Sequence, residues 1–350
     1  MGELRRDYFR DRYVIINPER ARRPDNFNHA NQLNSNSPGM PSPFAPGNEH
    51  KLPPILATYP KTDTSTKISD SDPAPLDREL NHNAHEASND TYWQYRVVAN
   101  KFAIAKPEGN PQLQTANELF TWSSNYGEHE VVIEGREDNI PFHALGPDGI
   151  AQAIAVAVER IKHMHTLEHI NYVAYFKNEG RDAGASINHP HSQIIATAIV
   201  PPSVKELTNT FEQLRAQWGF SPLYKVLDYE RGGPRIAAET KHFVALCPYA
   251  SRFPMELLIV PVRDSETYTS LTDEERLDLG HLLHRLLGRL ASISSPYNIE
   301  WFHSQATSFH WHLRITPRLS IWAGYELETN IIVNPIPPEN AAAFYCEAGQ

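Results

Sequence analysis

This chain carries one structural unit written twice, and the repeat limits the folds open to it. The runs 95–104 and 130–134, a periodic segment from about Asp148 to Leu167, the run 172–176 and a strand entered through His189-Pro190-His191 form one series. The runs 241–248 and 255–261, a second periodic segment from about Asp273 to Leu290, and the runs 297–302 and 309–315 follow in the same order. Short β-branched and aromatic runs read as strands, and the longer 3.6-residue patterns read as helices. Two such units in tandem predict an α+β protein of two duplicated domains, each an antiparallel sheet with covering helices. We place them at 1–200 and 201–350, each large enough to bury its own core.

The second helix has a marked start. Thr272 can cap it, with Glu275 three residues on as a capping box requires. Leu279, Leu282, Leu283, Leu286 and Leu290 keep helical spacing, so His281 and His284 beside them read as helix-surface or core-edge residues.

Charge and cysteine content exclude several classes. With 32 Lys and Arg against 42 Asp and Glu, the formal charge is −10, which argues against broad nucleic-acid binding. Any phosphate must therefore be met by local arginines and backbone N–H groups. The two cysteines, Cys247 and Cys346, exclude a disulfide framework and fit a reducing compartment. No apolar run approaches a membrane span, the opening residues lack a signal-peptide core, and a cytoplasmic location is expected. Between about 25 and 90 the composition turns to Asn, Ser, Pro, Asp and Thr, and is expected to be largely loop or disordered insert. His82 and His85 in it read as solvated.

The chemistry concentrates at His189-Pro190-His191-Ser192-Gln193. Alternation puts the two imidazoles on one strand face, and Pro190 restricts the residue before it to extended geometry. Imidazole at neutral pH can be a base, a metal ligand or a nucleophile.

With this motif at the end of such a unit, the sequence resembles the histidine-triad superfamily, in its galactose-1-phosphate uridylyltransferase branch. Blocks that carry the resemblance, in order, are Asn17-Pro-Glu-Arg-Ala-Arg-Arg-Pro24, Asn100-Lys-Phe102, His129-Glu-Val-Val-Ile-Glu134, Phe176-Lys-Asn-Glu-Gly180, the His-Pro-His motif, His310-Trp-His312 and Gly324-Tyr-Glu326. The resemblance implies a ping-pong nucleotidyl transfer in which His191 attacks the α-phosphorus of a nucleotide sugar and carries the nucleotide as a phosphoramidate. Gln193 would meet the charge developing on the phosphate. Asn178 and Ser186 would hold phosphate oxygens, Arg20 and Arg23 the nucleotide phosphates, Asn100 the nucleotide, and Tyr325 and Glu326 the hexose hydroxyls. The implied partners are a nucleotide sugar and a sugar phosphate, and a second copy of the chain, since family members are commonly dimers with shared sites.

The family commonly holds a structural zinc, but the block matching its Cys-x-x-Cys reads Ser42-Pro-Phe-Ala45, which leaves His129 and His189 in the remaining ligand positions. Two imidazoles are too few for a closed tetrahedral site, so the zinc is expected to be absent, with His129 and His189 bonded to each other, nearby backbone or water. By the same resemblance His303, His310 and His312, with Glu206, form a possible second site for zinc or iron.

Three functions remain open. The first is UDP-glucose:hexose-1-phosphate uridylyltransferase, with galactose 1-phosphate as acceptor. The second is an ADP-glucose or dinucleotide phosphorylase using inorganic phosphate; Ser192 and the Phe309-His-Trp-His312 run favour it. The third is an inactive nucleotide-binding homologue, against which stand the intact His191, Gln193, Asn178 and Ser186.

Overall fold

Strand alternation in this chain separates two faces with different jobs. The computed structural model describes residues 2–22, 42–60 and 93–347. The chain opens with β1 (Glu3–Arg6) and β2 (Tyr13–Ile16), followed by β3 (Ile55–Pro60), β4 (Trp93–Ala99) and a small hairpin of β5 (Gln114–Thr115) and β6 (Thr121–Trp122). The first unit continues with β7 (Gly127–Glu134), α1 (Gly146–Met164), β8 (Tyr172–Glu179) and β9 (His191–Thr197). Helices α2 (Pro202–Trp218) and α3 (Pro222–Glu230) lead to β10 (Ile236–Glu239), β11 (Phe243–Leu246), β12 (Leu257–Pro261), α4 (Asp273–Ser292), β13 (Tyr297–Phe302) and β14 (His312–Pro317). The chain closes with α5 (Gly324–Thr329), β15 (Ile332–Asn334) and α6 (Pro338–Cys346).

The duplication is visible as a palindrome. Ten strands form one antiparallel sheet in the order β10-β11-β12-β14-β13-β8-β9-β7-β4-β3. Outward from its centre, β8, β9, β7 and β4 on one side mirror β13, β14, β12 and β11 on the other. The seam is the β8–β13 pair, with Asn178 opposite Asn298.

Helices α1 and α4 cover one face of this sheet. In α1, Ile150, Ala153, Ile154, Ala157, Val158 and Ile161 are buried at helical spacing. The capping box at Thr272 and Glu275 is formed, as its sequence predicts. Val132, Ile154 and Ile194 of the first unit share one core with Leu257, Leu283, Leu287 and Leu313 of the second. The expectation that each half buries its own core is therefore corrected. Pairing across β8 and β13 makes one sheet face, and one core fills it.

The opposite face carries His129, Val131 and Ile133 of β7 beside His191, Gln193 and Ile195 of β9. Part of the expected insert is ordered against it. Turns over 42–48 bury Phe44 with Val98, Val131 and Ile133, and β3 is an edge strand on β4. Positions 25–41 and 61–90 of that insert, with His82 and His85, lie outside the described residues. A separate sheet, β1-β2-β15, ties the C-terminal segment beside the first strands. No helix of the described residues is long and apolar enough to cross a membrane.

Gly280 marks where α1 and α4 touch, since a Cβ there would lie 2.3 Å from the carbonyl oxygen of Pro147. Glycine to alanine inside a helix ordinarily gains up to about 1 kcal/mol. Here Gly280→Ala is expected instead to cost roughly 1–3 kcal/mol by overpacking, read from urea unfolding. A stabilised variant would contradict this packing.

Candidate active site

His191 is the first residue of β9, and its ring is oriented by its own chain. Its Nδ1 lies 2.8 Å from the carbonyl oxygen of His189. A carbonyl only accepts, so Nδ1 carries the proton and Nε2 keeps its lone pair. Pro190 makes this contact local, because it restricts the backbone between donor and acceptor. Burial, with the Lys177 charge as the next contribution, pushes the His191 pKa down to about 4, so the ring is neutral at pH 7. The edge-on ring of Phe44, 5.4 Å away, helps exclude water from it.

Gln193 shares that strand face, and its amide is oriented by a small network. Ile104 N–H donates to His129 Nδ1 at 3.3 Å, so His129 Nε2 carries the proton and donates to Gln193 Oε1 at 2.9 Å. Burial lowers the His129 pKa, consistent with a neutral ring. Phe102 N–H donates to Asn100 Oδ1 at 2.8 Å, which turns Asn100 Nδ2 toward both His129 Nε2, at 3.0 Å, and Gln193 Oε1, at 3.4 Å. With its oxygen engaged by His129, Gln193 presents its amide N–H groups as donors.

Beside His191 lies a cavity of about 290 Å³, lined from the first unit by Asn178, Asn188, His189 and His191 and from the second by Ser294 and Tyr297. Asn178 Oδ1 accepts from Asn298 Nδ2 at 2.8 Å, leaving Nδ2 as a donor. The site thus sets a neutral imidazole, with its Nε2 lone pair unprotonated, beside amide donors, an arrangement that can serve phosphoryl-group transfer.

Other expected residues are placed elsewhere. Ser186 is exposed, between the cavity-lining Ala185 and Ile187. Arg20 is exposed after β2, and Arg23 lies outside the described residues. Tyr325 is exposed on α5, and the Glu326 carboxylate caps that helix through Ala323 N–H. Neither lines the cavity of its own chain.

Of the partners expected for His129 and His189, it is nearby backbone that serves and not each other: His129 accepts from Ile104 N–H within the Gln193 network, while His189 Nε2 donates to the Gly135 carbonyl at 2.8 Å. The carboxylate of Asp138, not His129, faces His189, with Oδ1 3.7 Å from Nδ1. Ser42 Oγ accepts from Phe44 N–H at 3.1 Å, and Ala45 offers no ligand. One imidazole and one carboxylate do not complete a structural zinc site, so the residues present do not fit that group.

Nor do His303, His310, His312 and Glu206 gather round one point; among the described residues no three His, Cys, Asp or Glu side chains are grouped to hold a metal. His303 donates to the Val173 carbonyl and stacks on Tyr172, and Glu206 is exposed on α2. His310 bonds the Pro261 carbonyl through Nε2 and accepts from Ser221 Oγ at 2.7 Å. His312 Nδ1 donates to the His310 carbonyl at 3.1 Å, between the rings of Phe302 and Phe309.

This second His-x-His repeats the bonding of the first without its opening. Where the first unit pairs His129 with Gln193, the second has the buried Glu256 and the half-buried Arg314 in the matching register, 3.2 Å apart. Phe211 of α2 packs over His312, whose pKa burial lowers to about 3.

Sequence reasoning passed over Phe44, Lys177, Glu134 and the loop 294–297. A lysine set within the apolar run Tyr172-Val-Ala-Tyr-Phe176 and its continuation is the one signal that could have flagged a buried charge.

Known proteins share this fold. A family model described as galactose-1-phosphate uridyl transferase, N-terminal domain, matches residues 60–201, and one described as a domain of unknown function (DUF4921) matches 137–344. ADP-glucose phosphorylase of Arabidopsis thaliana is 30% identical over 97% of this chain and 91% of that protein. Galactose-1-phosphate uridylyltransferase of Thermotoga maritima is 26% identical over 71% of this chain and 83% of that protein. The crystal structure of the Arabidopsis ADP-glucose phosphorylase with bound ADP-glucose superposes with a TM-score of 0.78 at 28% identity, covering 100% of this chain and 99% of that one. Similarity that runs the length of both chains makes this chain a member of the galactose-1-phosphate uridylyltransferase family of nucleotidyltransferases, to which the ADP-glucose phosphorylases are related.

Proposed function

We propose that this protein is a nucleotide-sugar phosphorylase of the ADP-glucose type, working through a covalent nucleotidyl-histidine at His191. The observation that carries the reading is the full-length similarity to an ADP-glucose phosphorylase, which exceeds that to the uridylyltransferases in both identity and coverage. It favours inorganic phosphate as acceptor over the hexose 1-phosphate that the sequence put first. His191 Nε2 attacks the α-phosphorus of ADP-glucose, the bond to the β-phosphate oxygen breaks, and glucose 1-phosphate leaves. The ring then carries the nucleotide as a cationic N-phosphoryl imidazole, with Nδ1–H held by the His189 carbonyl. Inorganic phosphate attacks the same phosphorus from the vacated side, and ADP leaves with the ring neutral again. Gln193 and Asn178 donate to the non-bridging oxygens throughout. A cytoplasmic setting belongs to the same reading, resting on two cysteines that stay unpaired.

Arg20, Tyr325 and Glu326 support a dimer in this reading, because they lie away from the cavity of their own chain. A second copy would bring them to it.

Incubation with ADP-glucose is expected to add one AMP group to the intact protein, which inorganic phosphate then releases as ADP. UDP-glucose with galactose 1-phosphate should turn over far more slowly. His191→Ala is expected to lower turnover by roughly 10³-fold or more, whereas His312→Ala keeps adduct formation. A uridylyl adduct passed on to galactose 1-phosphate would instead support the transferase, and no adduct with either donor the inactive homologue.

Mixing inactive His191→Ala protein with the Tyr325→Ala/Glu326→Ala variant should restore part of the activity, since one mixed site then holds every group. No recovery after subunit exchange would contradict the shared site. Chelator-washed protein is expected to keep its activity without stoichiometric zinc, by elemental analysis; zinc lost on His189→Ala would overturn that.

A further inference from the structure

The catalytic histidine sits where the sheet comes apart. Glu134 N–H donates to the Pro190 carbonyl at 2.9 Å. In an antiparallel ladder the next residue along then turns its N–H and C=O away from that neighbour, so those of His191 point from β7 toward β8. The β8–β9 register, however, ends at Phe176 opposite Gln193. Beyond it, Lys177, Asn178 and Glu179 pair only with β13. The two strands splay, the cavity opens between them, and His191 loses the main-chain partner that a continued ladder would supply at Asn178.

Lys177 fills that place. Its Nζ donates to the His191 carbonyl at 2.9 Å and lies 2.5 Å from Glu134 Oε2. The ammonium rests 4.3 Å from the centre of the Phe142 ring, and its side chain is 3% exposed. Glu134 is fully buried, and Glu179 Oε2 stands 3.8 Å from the same nitrogen. A lysine so deeply enclosed carries a desolvation cost that a surface position would avoid. It grips the main chain of the reacting residue from beneath, on the helix-covered side of the sheet, while the imidazole works on the other.

We infer that Lys177, clamped by Glu134, is a positioning residue for the nucleotidyl transfer: it replaces the ladder hydrogen bond lost at the splay and so fixes the main chain that carries His191. The inference rests on the reading of His191 as nucleophile. A displacement of about 1 Å at a reacting atom can cost on the order of 10²-fold in rate. Lys177→Met alone would strand a buried carboxylate, so the informative variant is Lys177→Met/Glu134→Gln, with Glu134→Gln as control.

Under single-turnover conditions with saturating ADP-glucose, the double variant is expected to form the AMP adduct roughly 10²-fold more slowly, with its Kd for ADP-glucose within about twofold of wild type. Glu134→Gln keeps the lysine on the carbonyl and should stay within about tenfold. Lys177→Arg, which restores a donor, should recover most of the rate. In 15N spectra of the ligand-free protein the His191 ring should change from one Nδ1–H tautomer to a mixture in the double variant. Adduct formation at the wild-type rate by a folded double variant, or an unchanged tautomer, overturns the inference. If the double variant does not fold, Lys177→Gln, which retains a shorter donor, is read by the same two measurements. Should wild-type protein form no adduct with any nucleotide sugar, the functional reading fails, while the tautomer still decides the positioning role.

Discussion

The pairing of β8 with β13 is the constraint from which the rest of the molecule follows. It fuses two copies of a five-element unit into one sheet and gives α1 and α4 a single face to cover. It also draws the far end of β8 away from β9. The cavity beside His191 is the space this leaves, and its far wall, with Ser294 and Tyr297, belongs to the other unit. Neither unit alone has this site. An antiparallel ladder that satisfied every main-chain group up to His191 would have closed it.

Duplication supplied two His-x-His strands, and packing decided between them. Both histidine pairs make the same bonds: the first ring to a carbonyl at the end of a neighbouring strand, the second ring through Nδ1 to the carbonyl two residues back. At His191 one ring, that of Phe44, and the cavity border the imidazole among the described residues. At His312 aromatic rings close over the imidazole, and the amide that would face a phosphate is an arginine paired with Glu256. The second pair is packed as core.

Local pattern carried most of the fold. The repeated run of strands, the positions of α1 and α4, and the Thr272 cap all follow from hydrophobic period and capping residues. The seam did not show in the text, because nothing local in Tyr172-Val-Ala-Tyr-Phe176 says that its second edge will pair with 297–300. The two-core expectation failed there. Within the site, His191 and Gln193 were legible from the rigid His-Pro-His spacing and from the family resemblance. The partner of His189 was not, since Asp138 lies in an irregular turn with no periodicity to place it. Lys177 escaped notice because a strand lysine is ordinarily a solvated one, and burial is a property of the assembled sheet.

The central claim is that Nε2 of His191 becomes bonded to phosphorus. Protein quenched after a single exposure to ADP-glucose, digested at neutral pH and mapped by fragmentation mass spectrometry, locates the nucleotide. The account predicts acid-labile AMP on the peptide containing His189 and His191, assigned to His191 and missing from His191→Ala protein. AMP on any other residue, or undiminished nucleotide on His191→Ala protein, would contradict it.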